Sequence, residues 1–125
     1  MTVARRRTGQ IAEDLVAARL AAADWEIVER NARTRYGELD IVAREGRTLV
    51  FVEVKAARAG TSFGPERPIL SIDHRKQRQV RRLATAWMQE RPDTVFYDEI
   101  RFDAVGVTLD RADRAVEVDY IKGAF

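Results

Sequence analysis

The chain has 125 residues, enough for one domain with a buried core, and we predict a single domain over residues 1–125. Hydrophobic residues make up 46% and charged residues 34% of the sequence, a composition that excludes a disordered chain. The absence of cysteine excludes disulfides and thiolate metal sites.

The N-terminal region carries a basic triplet but no targeting pattern. No long apolar run follows Arg5-Arg6-Arg7, so no signal peptide is expected, and no stretch approaches the length of a membrane span. Residues 1–7 are expected to form a basic, flexible arm. With the lack of cysteine, these features predict a cytoplasmic protein with no membrane partner.

The net charge is only +2, but charge is unevenly distributed along the chain. Residues 56–91 contain eight basic and three acidic side chains, whereas residues 92–125 contain four basic and eight acidic ones. Arginine outnumbers lysine nineteen to three, which suits bidentate phosphate contacts, although a GC-rich genome would produce the same bias. The middle of the chain is a candidate nucleic-acid-binding region.

The first predicted element is a helix from Thr8 to Ala23, with Thr8 as its N-cap. Its apolar column consists of Ile11, Leu15, Ala18 and Ala22. Glu13 lies at the edge of this band, where it either reaches towards a sheet or stays solvated near the helix N-terminus.

Two strands and a connection follow the first helix. An alternating strand is predicted at residues 25–30 and a polar connection at residues 31–36. Arg33 and Arg35 in this connection would either contact phosphates or remain solvated charges. The segment Gly37–Lys55 then predicts a β-hairpin.

The hairpin would bring acidic side chains together. With the turn centred on residues 45–46, Asp40 lies opposite Phe51, and Glu38 lies opposite Glu53. Asp40 and Glu53 are then diagonal neighbours on one face, roughly 7–8 Å apart at the backbone. Their carboxylates could converge on one cation.

Acids on a half-buried strand repel one another and resist desolvation unless they are paired or bind a metal. Asp40 and Glu53 supply the hard oxygen ligands that Mg²⁺ prefers. Lys55, roughly 6.6 Å along the strand from Glu53, could activate a water molecule or stabilise charge on a phosphate. The alternative is a surface ion pair between Lys55 and one of the acids.

Residues 57–70 predict a long loop because they contain several glycines and prolines. The loop leaves the strand that carries Lys55. It either grips a substrate, with Arg58 and Arg67 as candidate contacts, or is simply mobile.

A second helix is predicted from Ser71, as N-cap, to Glu90, with Pro92 beyond its end. Lys76 falls within its apolar stripe, so it either extends to solvent or points at the acidic residues or a substrate. An adjacent basic stripe would track a nucleic-acid backbone or form a solvated face; its members are Arg75, Arg78 and Arg82.

Two final strands are predicted at residues 98–108 and 114–121. The resulting order is α-β-β-β-α-β-β. It predicts an α/β fold with a central mixed sheet of about five strands flanked by helices.

The residues of the predicted hairpin resemble the motif of a known protein family. Asp40, twelve further residues and then Glu53-Val54-Lys55 resemble the D…(D/E)xK core of the PD-(D/E)XK nuclease superfamily. The phrases GELDIVA and LVFVEVK resemble the YraN-type family of small bacterial proteins, which are similar to archaeal Holliday-junction resolvases. Further matching positions are Gly9, Glu13, Arg30-Asn31, Phe63-Gly64, Lys76, Phe102-Asp103 and Ala124-Phe125.

The resemblance implies a restriction-endonuclease-like fold and a resolvase-like, metal-dependent DNA endonuclease. Asp40, Glu53 and Glu13 would be catalytic residues that hold Mg²⁺ or Mn²⁺. Lys55 would assist the attacking water. The alternative is a non-catalytic nucleic-acid-binding module that retains the nuclease fold.

The resemblance also implies partners and further site residues. Branched or single-stranded DNA and a second copy of the chain, in a homodimer, are the implied partners. Glu38 and Lys76 are possible additional site residues. Candidate contacts to nucleic acid are Arg33, Arg35, Arg58, Arg75, Lys76, Arg78 and Arg82.

Overall fold

The structure, a computed structural model, describes residues 3–60, 67–93 and 95–125. The predicted order α-β-β-β-α-β-β is confirmed, with a 3₁₀ helix added before the second α-helix. The elements are α1 (Val3–Ala22), β1 (Glu26–Thr34), β2 (Gly37–Glu45), β3 (Thr48–Arg58), the 3₁₀ helix (Pro68–Ser71), α2 (His74–Glu90), β4 (Glu99–Leu109) and β5 (Ala115–Ile121). The Phe63-Gly64 match and the middle of the predicted loop lie outside the described residues.

The five strands form one mixed sheet in the order β1-β2-β3-β4-β5. β3 and β4 are parallel, and the other neighbouring pairs are antiparallel. α2 lies in the connection between β3 and β4, because a parallel pair needs a crossover. The predicted α/β fold is confirmed. Over the described ranges, neither α-helix combines the length and apolar character that a membrane crossing requires.

Each face of the sheet is covered by a different helix. On one face, Val16 of α1 packs in a cluster with Val52 of β3. On the other face, Trp87 of α2 packs edge-on against Phe51 of β3, with ring centroids 5.9 Å apart. Side chains alternate along β3, with Phe51 in the cluster on the α2 face and Val52 in the cluster on the α1 face, so Glu53 lies on the face covered by α2.

α1 begins earlier than the sequence predicts. It starts at Val3, so the predicted flexible arm is helical from that residue onward. Thr8 is therefore not an N-cap; its hydroxyl donates to the carbonyl of Ala4 at 2.9 Å, as threonines do inside helices. Arginine is a good helix former, and Arg7 holds this first part of α1 through an ion pair with Asp113 at 2.9 Å.

β1 runs further than the sequence predicts. It continues to Thr34, so residues 31–34 of the predicted polar connection are strand and only residues 35 and 36 form the turn. Ala32 and Thr34 are buried and Arg33 is exposed. The segment pairs with β2 in the sheet. The hydrogen bonds of this pairing satisfy backbone groups that a loop would leave to water.

The hairpin register differs from the predicted one. Glu45 pairs with Thr48, which leaves Gly46 and Arg47 as the two turn residues. Gly46 has a φ of 59°, a conformation that glycine adopts without steric cost. Phe51 consequently pairs with Val42 instead of Asp40. A shift of two residues keeps the paired side chains, from the pair Ile41–Val52 to the turn, on their predicted faces, since the period of a strand is two.

α2 begins later than predicted and ends as predicted at Glu90. Ser71 is not its N-cap, because that residue closes the 3₁₀ helix and its hydroxyl donates to Pro68 O at 2.8 Å. The N-cap is Asp73, whose carboxylate accepts the backbone N–H of Lys76 at 2.9 Å. Lys76 therefore lies in the first turn of α2.

Candidate active site

β2 and β3 separate at Asp40. Their ladder runs from the turn to the pair Ile41–Val52 and stops there, whereas β2 stays paired with β1. Leu39 packs on the α2 face although Ile41 packs on the α1 face, so β2 changes orientation at the residue between them. Asp40 consequently lies where both helical layers can be reached.

Asp40 is held by the backbone of β3. Its Oδ2 accepts the N–H of Val54 at 2.9 Å, just beyond the last ladder pair. Burial raises the pKa of Asp40, while the Val54 N–H and the charges of Lys76 and Lys55 act in the opposite direction. Burial dominates, so this carboxyl group holds its proton more tightly than an exposed aspartate does.

Glu53 is 5% exposed and lies beside Asp40. Burial, followed by repulsion from Asp40, raises the pKa of Glu53 to about 7. Lys76 opposes this rise, with its Nζ 3.3 Å from Oε1 of Glu53. Of the two orientations considered for Lys76, the one that points at the acidic residues is therefore observed.

Glu13 brings a third carboxyl group from α1. Burial and repulsion from Asp40 raise the pKa of Glu13 to about 8. With its amide oriented to donate, Asn31 lies 3.0 Å from Oε1 of Glu13 and 3.2 Å from Oε1 of Glu38. Of the two alternatives for Glu13, the structure shows the one in which it reaches towards the sheet and is half-buried at the acidic residues. Glu38 stands at their exposed edge.

Asn31, a residue of the predicted polar connection, belongs to the site. It has a φ of 50°, which asparagine tolerates better than most residues. It lies between the ladder pairs formed by Arg30 and Ala32, at the level where β2 changes orientation. The family resemblance includes Asn31 among its matching positions, but no local pattern indicates its contacts, since its neighbours come from α1 and β2.

Lys55 follows Glu53 on the same face of β3 and is half-buried. Its charge lowers the pKa of both Asp40 and Glu53, so it lies within electrostatic reach of both. In the part of the chain that the structure describes, Lys55 forms no ion pair, so the surface ion pair considered as an alternative is not formed.

The acidic residues match the donor chemistry of a hard divalent cation. Buried carboxylates with raised pKa values indicate a site short of positive charge. No three His, Cys, Asp or Glu side chains among the described residues stand in an arrangement that would hold a metal ion. Glu53 is turned towards Lys76 and Glu13 towards Asn31, so both would have to rotate to share an ion with Asp40. The residue types fit Mg²⁺ or Mn²⁺ after such rotation.

The predicted basic stripe of α2 is exposed. Arg75, Arg78 and Arg82 all face solvent, and none forms an ion pair with a carboxylate of the described residues. They share α2 with Lys76, which touches the acidic site. Arg33 and Arg35 are exposed at the β1–β2 turn. These side chains are available to bind phosphate.

Arg58, a predicted nucleic-acid contact, does not lie among the exposed arginines of α2 and the β1–β2 turn. Its guanidinium contacts Asp113 at 2.6 Å, the carbonyl of Asp110 at 2.9 Å and the hydroxyl of Thr8 at 3.1 Å. These contacts tie β3 to α1 and to the β4–β5 turn. Arg67 is likewise paired, with Asp119 at 2.8 Å.

Comparison with known proteins identifies relatives along the whole chain. The uncharacterised protein family UPF0102 matches residues 12–107. A UPF0102 protein of Moorella thermoacetica is 46% identical over 125 residues, which is 100% of both chains. UPF0102 proteins of Acidothermus cellulolyticus and Nocardia farcinica are 42% and 40% identical, covering 98% and 97% of this chain and 96% and 91% of the relatives. Since the family match and these relatives span most of the chain, the protein belongs to the UPF0102 family.

Proposed function

We propose that the protein is a metal-dependent endonuclease that hydrolyses DNA phosphodiester bonds. The observation that carries the proposal is the meeting of Glu13, Asp40, Glu53 and Lys55 where β2 leaves β3. A purely structural cluster would gain nothing from three half-buried or buried carboxylates whose pKa values are all raised.

Each side chain has a role in the proposed reaction. Asp40, Glu53 and Glu13 would hold Mg²⁺ or Mn²⁺, which supplies charge neutralisation and lowers the pKa of a bound water. Lys55 would orient the attacking water or stabilise the negative charge that builds on the phosphate. The ammonium group of Lys76 would leave Glu53 and contact the phosphate backbone of DNA when the Glu53 carboxylate rotates towards the metal.

The spacing of Asp40 from Glu53-Val54-Lys55 supports a place in the PD-(D/E)XK nuclease superfamily, close to the resolvase-like enzymes. The exposed arginines of α2 support DNA as the partner, because unpaired guanidinium groups beside the site bind phosphate. A homodimer and a cytoplasmic location belong to the same proposal. Sedimentation of the purified protein tests the homodimer.

The test is cleavage of labelled four-way-junction, single-stranded and duplex DNA with Mg²⁺ or Mn²⁺. Glu53→Gln and Lys55→Met should each abolish metal-dependent cutting. Glu99→Gln is the matched control, since Glu99 is exposed at the start of β4, five ladder pairs from the pair formed by Glu53. Absence of cutting on every substrate would refute the proposal, as would equal activity of the three variants.

One observation favours a second candidate, a non-catalytic nucleic-acid-binding module. Lys76 is paired with Glu53, and the carboxylates as placed do not form a three-residue metal site within the described ranges. This candidate predicts salt-dependent DNA binding without cleavage, and unchanged binding in Lys55→Met.

A further inference from the structure

Tyr36 lies at the tip of the β1–β2 turn and is 44% exposed. Two arginines approach its ring. The guanidinium carbon of Arg82 lies 3.9 Å from the ring centroid, and that of Arg35 lies 4.9 Å from it. Cation–π attraction therefore holds two like charges at one exposed ring.

The positive charge at this ring is not cancelled by an ion pair. Neither Arg35 nor Arg82 pairs with a carboxylate of the described residues. The nearby Glu90 contacts the backbone N–H of Arg35 at 3.4 Å and pairs with Arg91 at 3.7 Å. The ring and its two guanidinium groups form a cationic, aromatic surface, which we call the Tyr36 platform.

The platform is joined to the acidic site by two elements. Tyr36 lies four residues before Asp40, a strand distance of about 13 Å. Arg82 lies six residues after Lys76 on α2, about 9 Å along the helix. At the roughly 3.4 Å spacing of nucleotides along one strand of a duplex, a strand bound at the acids would reach the platform within about four nucleotides.

We propose that the Tyr36 platform stacks an unpaired base, so that the substrate class is nucleic acid with a single-stranded segment beside the reacting phosphate. Aromatic rings and guanidinium planes stack on bases that are free of a duplex, whereas a paired base inside a helix has no open face. Phosphate binding alone would need the arginines without the ring. The inference rests on the proposed function, whose nucleic-acid partner it specifies.

The experiment is fluorescence anisotropy with a labelled single-stranded oligonucleotide and a blunt duplex of the same sequence. EDTA is present, so no metal-dependent cleavage consumes either probe. Wild type should bind the single strand more tightly than the duplex. Tyr36→Ala should weaken single-strand binding about 5- to 100-fold, the range for losing one stacked base, and change duplex binding less than about twofold.

Three further variants sharpen the result. Tyr36→Phe should bind as wild type does, since stacking uses the ring and not the hydroxyl. Phe96→Ala is the matched control. Phe96 is 64% exposed, and the guanidinium carbon of Arg47 lies 5.4 Å from its ring centroid. Arg47 lies in the turn before β3, at the other end of β2 from Tyr36. Phe96→Ala should leave both affinities unchanged. Should Tyr36→Ala fail to fold, Tyr36→Leu gives the same comparison because it removes only the aromatic face.

Equal weakening of single-strand and duplex binding in Tyr36→Ala would overturn the inference, and so would equal wild-type affinity for the two probes. Either result leaves the nuclease proposal standing if metal-dependent cleavage is observed. Failure of wild type to bind either probe would also overturn the inference, whereas the nuclease proposal is decided by the cleavage test.

Discussion

Glu53 combines near-complete burial with a carboxylate neighbour, Asp40, and an ammonium partner, Lys76. Its pKa in the folded protein is about 7, above the ordinary value of 4.5. Between these two values the folded state binds more protons than the unfolded state. The stability contributed by protonated Glu53 is therefore complete below pH 4.5 and is lost as the pH rises through about 7.

Glu53→Gln should stabilise the protein in alkaline solution while abolishing the proposed activity. We expect the free energy of unfolding to rise by about 1–3 kcal/mol at about pH 8.5 and to change little at about pH 4.5, because glutamine never carries the buried charge. Urea denaturation at both pH values measures this change in the free energy of unfolding. The control Glu99→Gln should stay within about 0.5 kcal/mol of wild type at either pH. An equal change at both pH values in Glu53→Gln would contradict the prediction.

Lys76→Met should destabilise the protein in a pH-dependent way. Removing one partner of a buried ion pair costs about 3–5 kcal/mol when the remaining charge stays buried. The side chain of Lys76 is 30% exposed, so we expect a loss of about 1–3 kcal/mol at about pH 8.5. The loss should shrink at about pH 5.5, where Glu53 takes up a proton instead.

The control for Lys76 is the exposed pair between Lys122 and Glu45, whose side chains are 54% and 32% exposed. Lys122→Met should cost less than about 1 kcal/mol. Urea denaturation of both variants at the two pH values makes the comparison. Equal losses in the two variants would show that Glu53 does not depend on its lysine partner.

At the scale of elements, β4 and the 3₁₀ helix meet next to Lys55 of the acidic site. Gly106 pairs with Lys55 in the parallel ladder. A Cβ atom added at Gly106 would lie 2.7 Å from the backbone nitrogen of Ile69. Because backbone cannot rotate away as a side chain can, this contact requires glycine and sets how closely the 3₁₀ helix approaches the strand beside Lys55.

Gly106→Ala should push the 3₁₀ helix away from β4. We expect a loss of about 1–3 kcal/mol in the free energy of unfolding, typical of overpacking, measured by urea denaturation. Gly9→Ala is the matched control, since an added Cβ there meets nothing within 4 Å. In the middle of α1, this change should stabilise the protein by about 0.5–1 kcal/mol. Tolerance of Gly106→Ala would show that the 3₁₀ helix is free to shift.

At the scale of the whole molecule, the acidic site connects both layers of the fold. Glu13 comes from α1 on one face, whereas Glu53 meets Lys76 of α2 on the other. Asp40 lies between them on β2. A cation shared by these carboxylates would therefore tie the two helical layers to the sheet and stabilise the folded state as a unit.

Mg²⁺ or Mn²⁺ should raise the melting temperature of the protein. At ten times the dissociation constant, binding contributes about 1.4 kcal/mol, or roughly 3–6 °C for a domain of this size. The rise should be smaller at about pH 6 than at about pH 8.5, because protons on Glu13 and Glu53, with pKa values of about 8 and about 7, compete with the metal.

Differential scanning fluorimetry at matched ionic strength measures this metal effect. Asp40→Asn should lose the rise, since the asparagine side chain carries no negative charge. Asp119→Asn should keep the rise in melting temperature, because Asp119 lies on β5 and pairs with Arg67. The same rise in both variants would place the metal elsewhere.

Much of the fold and part of the site were predictable from periodicity. Alternation along β3 assigns Phe51 and Glu53 to one face and Val52 to the other, and this assignment is confirmed. Helical periodicity puts Lys76 in line with the buried Val80, which is why it reaches the acids. The hairpin register was wrong by two residues, yet the predicted acids still meet because such a shift preserves the faces.

The sequence by itself determined the order of elements, the face on which each side chain of β3 lies and the family to which the chain belongs. These follow from the periods of two and 3.6 residues and from motif spacing. Only the tertiary structure decided that β2 leaves β3 at Asp40, that Asn31 bridges Glu13 and Glu38, and that Arg58 is held by Asp113. Those contacts join elements that are distant along the chain, so helix packing and strand pairing, and not any local pattern, determine them.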